Sequence, residues 1–297
     1  MSDTGTQARA ADRPDPSPDV HAPPEIAEKT ARKGESKAGL DLPVLLVLAT
    51  LAGAYITFGG LFATVALAGA EQALPFGVAQ VLAGLVFSLG LILVLVGGAE
   101  LFTGNTLLVV AWAEERAGFS PVLHALGIAW VMNFAGSLVV VALAFLAGVH
   151  EAGEGAVGAA ALRMAEEKAS LGFGTALASG VLANMLVCLA VWLAFGARSA
   201  ADKVLVIVPP IAAFVALGLE HSVANMSLIP MGLAVKALAA PGFWAEAGLA
   251  PADFPALTLA GFANNLAAAT IGNVIGGFLV GAGYWFAYLR PRGAGPG

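Results

Sequence analysis

Charge is scarce in this chain. Of its 297 residues only 11% are Asp, Glu, Lys or Arg, against about 25% in an ordinary soluble domain. Five stretches hold no Asp, Glu, Lys or Arg at all: Leu42–Ala70, Gln72–Ala99, Ala117–His150, Ala169–Ala197 and Phe254–Leu289. Each exceeds the roughly 20 residues that cross a bilayer core. That excludes a soluble domain and points to a polytopic helical membrane protein. Cysteine is nearly absent too. Cys188 stands alone, which excludes a disulfide framework and reads as a small buried hydrophobe. A cleavable leader is also missing, since Met1–Asp41 is polar and Pro-rich, so the first membrane helix is expected to act as its own signal. There is no nucleophile elbow, no H-x-x-x-H pair and no phosphate loop with its lysine. An enzyme, a cofactor, a metal and a nucleic-acid partner are therefore not expected.

The few ionisable residues inside apolar sequence carry the information. From Val204 to Val235 the only ones are Glu220 and His221, in Gly218-Leu-Glu-His-Ser-Val-Ala-Asn225. The pattern Gly-x-Glu-x-x-x-x-Asn occurs once before, as Gly98-Ala-Glu-Leu-Phe-Thr-Gly-Asn105. Ionisable groups at bilayer depth are costly and face a pore, a partner or a substrate. A repeated interruption of a membrane segment marks a substrate path. Gln72–Trp112 and Val204–Val235 are long for one crossing and short for two, so each is expected to be a helix broken near mid-membrane.

Counting each broken segment once gives six spans. With the N-terminus inside, Arg9, Arg13, Lys29, Arg32, Lys33, Lys37, Arg116, Arg198, Lys203, Arg290 and Arg292 fall on the inner side. Arg163, Lys168 and Lys236 fall outside. This asymmetry fits the positive-inside rule and predicts an inner-membrane protein with both termini cytoplasmic. Six spans in two halves imply an inverted repeat of three helices, with helices 2 and 5 broken. Asn133/Gly136 and Asn273/Gly276 recur in the third helices. Gly272/Gly276 and Gly277/Gly281 read as packing positions. The organisation expected is a tail over 1–41, disordered over Met1–Pro23 with a short surface or gate helix at 24–39, a transmembrane domain over 42–290, and a tail over 291–297.

The stretches Gly98–Asn105, Ala183–Trp192, Gly218–Met226 and Thr270–Gly277 resemble the formate/nitrite transporter family, and Leu228-Ile-Pro-Met231 is most similar to its formate channels. The resemblance implies an aquaporin-like fold and a homopentamer with one pore per protomer. It implies a small monovalent anion as substrate, formate first, with nitrite, hydrosulfide or lactate as alternatives and protons as partners. An aquaporin-type neutral-solute channel and a membrane-embedded enzyme or assembly subunit are the readings from other classes. The two Asn-Pro-Ala boxes of the former are absent.

His221 reads as the central group, since small shifts move its charge across physiological pH. Thr103 reads either as an N-cap or as a hydroxyl that meets His221 or the anion. Glu100 and Glu220 are expected to turn away from the pore and accept from loop amides, a protonated Glu acting as pore donor being the alternative, with Asn105 and Asn225 also satisfying loop backbone. The N-termini of both outgoing half-helices are read as anion sites. The resemblance further implies apolar constrictions at Phe87, Leu91, Leu101, Phe102 and Phe214. Lys168 would stand near the pore, with Asn184 one helix further, raising the potential for anions. Arg163, Glu166 and Glu167 read as a solvated face, and His124 and His150 as interfacial.

Overall fold

The computed structural model describes residues 20–291. Among these there is no strand. The chain order is α1 (Pro23–Ala38), α2 (Leu42–Leu67), α3 (Ala70–Ala73), α4 (Phe76–Gly97), α5 (Phe102–Asn105), α6 (Leu108–Ala113) and α7 (Phe119–Leu146). Then come α8 (Ala156–Ser170), α9 (Phe173–Gly196), α10 (Ala200–Ala216), α11 (Ser222–Leu238), α12 (Pro241–Ala247) and α13 (Leu259–Tyr288). Helices α2, α4, α7, α9 and α13 are each long and apolar enough to cross a membrane. The sixth crossing is shared by α10 and α11, 17 residues each. Helix α12 meets α11 at 111°, so it lies off that axis.

The repeat is longer than three helices. Each half opens with an amphipathic helix, α1 or α8, that ends in a lysine: Lys37 in the last turn of α1, Lys168 in the last turn of α8. Next comes a span (α2, α9), then the broken crossing (α4 to α6, α10 to α11), then the closing span (α7, α13). Glycines let the first and last spans of each half touch backbone to backbone. Gly53 and Gly136 of α2 and α7 face Asn133 O and Thr50 O, while Gly272 and Gly276 of α13 face Leu177 O and Val181 O of α9. A Cβ at any of these would collide with a carbonyl. Gly277 and Gly281 face Thr106 and Val109, so both G-x-x-x-G patterns serve packing within the protomer.

The breaks form because glycine ends each incoming helix in the left-handed region. Gly98 has φ 85° and Gly218 φ 65°. Ala99 N then donates to Val94 O at 2.9 Å and Leu219 N to Phe214 O at 3.2 Å. Both are the six-to-one bonds of a Schellman ending. Beyond the glycine the two halves differ. After Gly98 come one turn (α5) and a six-residue helix (α6), whereas after Gly218 comes the full-length α11.

Several expectations change. The expected disorder of Met1–Pro23 lies, up to residue 19, outside the described residues; His21 N donates to Gly196 O at 3.0 Å. Helix α1 is no loose surface helix, because Ile26, Ala27, Thr30, Ala31 and Gly34 are buried and Lys29 Nζ donates to Phe195 O at 2.8 Å. Glu166 is not solvated: its two oxygens accept from Ala256 N and Leu257 N at 2.9 and 2.7 Å. That carboxylate pins the chain leading into α13, where Lys236 Nζ also holds Phe254 O and Leu257 O. His150 is buried and stacked on Phe145, ring centroids 4.4 Å apart, because α12 folds Phe243 over it.

Candidate functional site

The closing spans hold the breaks open. Asn133 of α7 accepts from Phe102 N at 2.9 Å and donates to Ala49 O and Glu100 O at 2.7 and 3.0 Å. Asn273 of α13 accepts from Ser222 N at 2.8 Å and donates to Gly180 O and Glu220 O at 2.8 and 2.9 Å. The two asparagines thus make the same three bonds. Each amide satisfies backbone groups that a broken helix exposes and cannot leave unpaired in a dry interior. Glu100 N completes its set on Leu48 O at 3.1 Å, and Glu220 N on Ser179 Oγ at 3.0 Å.

With the loop amides taken, the carboxylates find other partners. Glu100 Oε2 accepts from Lys37 Nζ at 2.9 Å and Asn105 Nδ2 at 2.8 Å, and Lys37 Nζ also reaches Asn105 Oδ1 at 2.8 Å. Glu220 Oε1 accepts from Lys168 Nζ at 2.8 Å, and Oε2 from Asn225 Nδ2 and Asn265 Nδ2 at 2.6 and 2.8 Å. Asn105 and Asn225 therefore serve the carboxylates rather than loop backbone. Nor do the acids turn away from open space. Glu100 lines a cavity of about 170 Å³ beside Lys33 and Lys37, and Glu220 lines one of about 510 Å³ beside Glu167 and Lys168. A buried carboxylate needs a cation at hydrogen-bond distance, and each amphipathic helix supplies one. Lys168 is consequently not a free positive charge, because Glu220 holds it.

The cavities lie at opposite ends of α4. Leu91 and Val94 line the smaller one with Leu101, while Phe76 and Phe87 line the larger one with Phe214. Phe87 and Leu91 are one helical turn apart, about 6 Å along the axis. Thr103 and His221 lie buried, lining neither cavity, with Thr103 Oγ1 at 2.8 Å from His221 Nε2. Phe214 leans on the imidazole at 5.6 Å between centroids and meets Phe87 at 5.6 Å. Phe102 lines neither cavity. It is buried in the core, with its N–H on Asn133.

His221 is the N-cap of α11, its Nδ1 accepting from Ala224 N at 3.0 Å. An accepting Nδ1 leaves the proton of the neutral ring on Nε2, which then donates to Thr103 Oγ1. The Thr103 hydroxyl proton remains free to donate onward. Thr103 itself caps nothing, for the N-cap of α5 is Leu101. An anion site at both half-helix ends does not hold either: α5 is one turn long and lacks the aligned peptides of a macrodipole. Asn184 sits on α9, the helix after the one that ends in Lys168. Fully buried on α9, it donates to Asn273 O, Thr106 Oγ1 and Thr103 O at 2.6, 3.0 and 3.3 Å.

Comparison with known proteins decides the family. The sequence pattern described as "Formate/nitrite transporter" matches residues 24–286. The chain belongs to the formate/nitrite transporter family. Formate channel FocA of Escherichia coli K12 is 40% identical over 274 residues, 92% of this chain and 96% of its own. FocA of Haemophilus influenzae is 35% identical over 255 residues, covering 85% and 88%. Among solved structures, a pentameric formate channel with formate bound superposes with TM-score 0.75 at 36% identity, over 89% of this chain and all of its own. An ion channel of the same family gives 0.74 at 28% identity, over 89% and 98%. The protein is thus a multi-pass membrane transporter of that fold.

Lys37, Asn265, Ser179 and Thr106 do not stand out in the sequence, and Asn133 and Asn273 show there only as a recurring pair. For Lys37 a signal exists. It stands five residues before α2 begins, as Lys168 stands five before α9.

Proposed function

We propose that this chain is a formate channel, assembled as a homopentamer with a separate pore in each protomer. The observation that carries the reading is the buried Thr103–His221 pair, with Phe214 against the imidazole, in a chain whose two cavities lie at opposite ends of α4. The similarity to proteins named formate channels, one of them pentameric with formate bound, supports the substrate and the assembly. The distribution of basic residues supports cytoplasmic termini in the inner membrane, with the tails at 1–41 and 291–297 on that side. The α1 cavity then faces the cytoplasm. The role is conduction rather than catalysis.

Formate is an anion at neutral pH and cannot enter a bare apolar septum cheaply. The free Thr103 hydroxyl proton supplies one hydrogen bond at the point of greatest desolvation, backed by Nε2–H of His221. Moving a proton onto formate demands more. A neutral ring that gave up its Nε2 proton would become an imidazolate, so a second proton must first reach Nδ1. That nitrogen accepts the Ala224 N–H, so protonation unseats the α11 cap at a cost of about 1 kcal/mol. In this reading acid converts His221 from a hydrogen-bond donor into a proton donor, and formate leaves as formic acid.

Flux of formate, nitrite and hydrosulfide into proteoliposomes, with and without an inward proton gradient, tests the proposal. Formate should pass fastest and respond to the gradient. His221→Asn keeps a donor but no transferable proton, so it should lose the gradient response while retaining downhill formate flux. Faster flux of nitrite or hydrosulfide would reassign the substrate. Flux of a neutral solute such as glycerol equal to that of formate would favour an aquaporin-type channel.

A further inference from the structure

The two asparagine clamps make matching bonds, yet the residues one turn beyond them differ. Asn133 and Asn273 donate to Ala49 O and Gly180 O. Four residues on from those carbonyls stand Gly53 in the first half and Asn184 in the second. Four residues on from the clamps themselves stand Ser137 and Gly277. Ser137 Oγ donates to Gly53 O at 3.2 Å, closing the first half. In the second half a glycine opens the same place. A methyl at Gly277 would overlap Thr106 Oγ1 and come within 2.7 Å of Asn184 Nδ2. The space holds a polar cluster that the other half lacks, and the cluster ends on Thr103.

Within it, Thr106 Oγ1 donates to Thr103 O at 2.6 Å. The α-helical donor for that carbonyl would be Leu107 N, which turns instead to Gly104 O at 3.3 Å, and Thr106 N reaches Thr103 O only at 3.4 Å. The hydroxyl stands in for a helical hydrogen bond in a helix one turn long. Asn184 Nδ2 donates in turn to Thr106 Oγ1, to Thr103 O and to Asn273 O. Two of those acceptors are carbonyls, which fixes the amide with its nitrogen toward them. Asn184 thereby joins the break that carries Thr103 to the residue that clamps the break carrying His221.

We propose that Thr106, seated by Asn184 in the space left by Gly277, is a positioning residue that sets the Thr103 hydroxyl on His221 Nε2. The pair that meets the anion is then registered across the two breaks by a third party that touches neither the anion nor the imidazole. This rests on the channel reading above.

Thr106→Val preserves the side chain's shape and removes its hydroxyl. Losing one such bond should lower formate flux per assembled oligomer about fivefold. It should also move the His221 Nε2 signal in the solid-state 15N spectrum, assigned by its disappearance in His221→Asn. Thr106→Ser restores the hydroxyl and should restore both flux and signal. Should Thr106→Val fail to assemble, Thr106→Ala removes the same hydroxyl without added bulk and bears the same test. An unshifted Nε2 signal with wild-type flux overturns the proposal. So does a loss of flux that Thr106→Ser fails to restore. If wild-type protein itself carries no formate, the channel reading falls, while the 15N comparison still decides whether Thr106 positions the pair.

Discussion

The two breaks share a scaffold and differ in what they carry. Gly98–Asn105 and Gly218–Asn225 both end a helix on a left-handed glycine, clamp on an asparagine of the closing span, and pair their glutamate with a lysine from an amphipathic helix. Aligned on those anchors, Leu101 answers His221, Phe102 answers Ser222, Thr103 answers Val223 and Thr106 answers Met226. One half contributes an imidazole where the other has leucine, and one a hydroxyl where the other has valine. Because the repeat is inverted, the differing positions meet near the centre. Symmetry builds the two openings, and its local failure builds the polar site between them.

The ion pairs offer the sharpest way to break this comparison. Lys168 and Glu220 are 15% and 1% exposed, Lys37 and Glu100 27% and 8%. Removing one partner of a buried pair costs about 3–5 kcal/mol, because the other charge stays behind unpaired. Lys168→Met should therefore lower thermal stability in detergent by an amount near that range, and Lys37→Met by clearly less. Equal losses would mean that the two pairs are equally dry, contrary to their exposure.

The clamps test the likeness rather than the difference. Asn133→Ala and Asn273→Ala each strip a buried N–H and two carbonyls of their partner. At about 1–3 kcal/mol for a buried group left unsatisfied, with partial relaxation, each should cost about 3 kcal/mol. The two values should agree within about 1 kcal/mol. A larger gap in unfolding midpoints would show that the breaks are not equivalent supports.

Much of the fold is legible in sequence, and the limits have physical causes. Two copies of Gly-x-Glu-x-x-x-x-Asn announce the breaks, because a charge and a glycine in an apolar run have few other uses. Lys37 shows only by its spacing to the following span, and a search by repeat period misses it. The loops of the two halves differ in length, so Glu100 and Glu220, Lys37 and Lys168, and Asn133 and Asn273 correspond at three different separations, and no single period finds them all. The glutamates are misread as turning away because repulsion of the anion is weighed without the lysines that neutralise them. Thr106 cannot be singled out, since its role depends on the missing side chain at Gly277, half the chain away.

The two mouths differ least in energy, yet in a way that flux can report. The smaller cavity is lined by Lys33, Lys37 and Glu100, a formal +1, and the larger by Glu167, Lys168 and Glu220, a formal −1. In each, the inner pair is mutually held, so the unbalanced charge is the exposed one, Lys33 or Glu167. A single rim charge acts on an approaching anion through water, where attraction or repulsion amounts to about 0.5 kcal/mol and decays over a Debye length of about 8 Å. Lys33→Gln should lower formate admission from the α1 side about twofold at low salt, and Glu167→Gln should raise it about twofold from the other. Both effects should vanish at high ionic strength, and neither should alter the gradient response that depends on His221. Initial rates in vesicles of each orientation, across a salt series, measure all of this. A change that persists in high salt would place the altered charge inside the path, and the mouths would then be part of the central site.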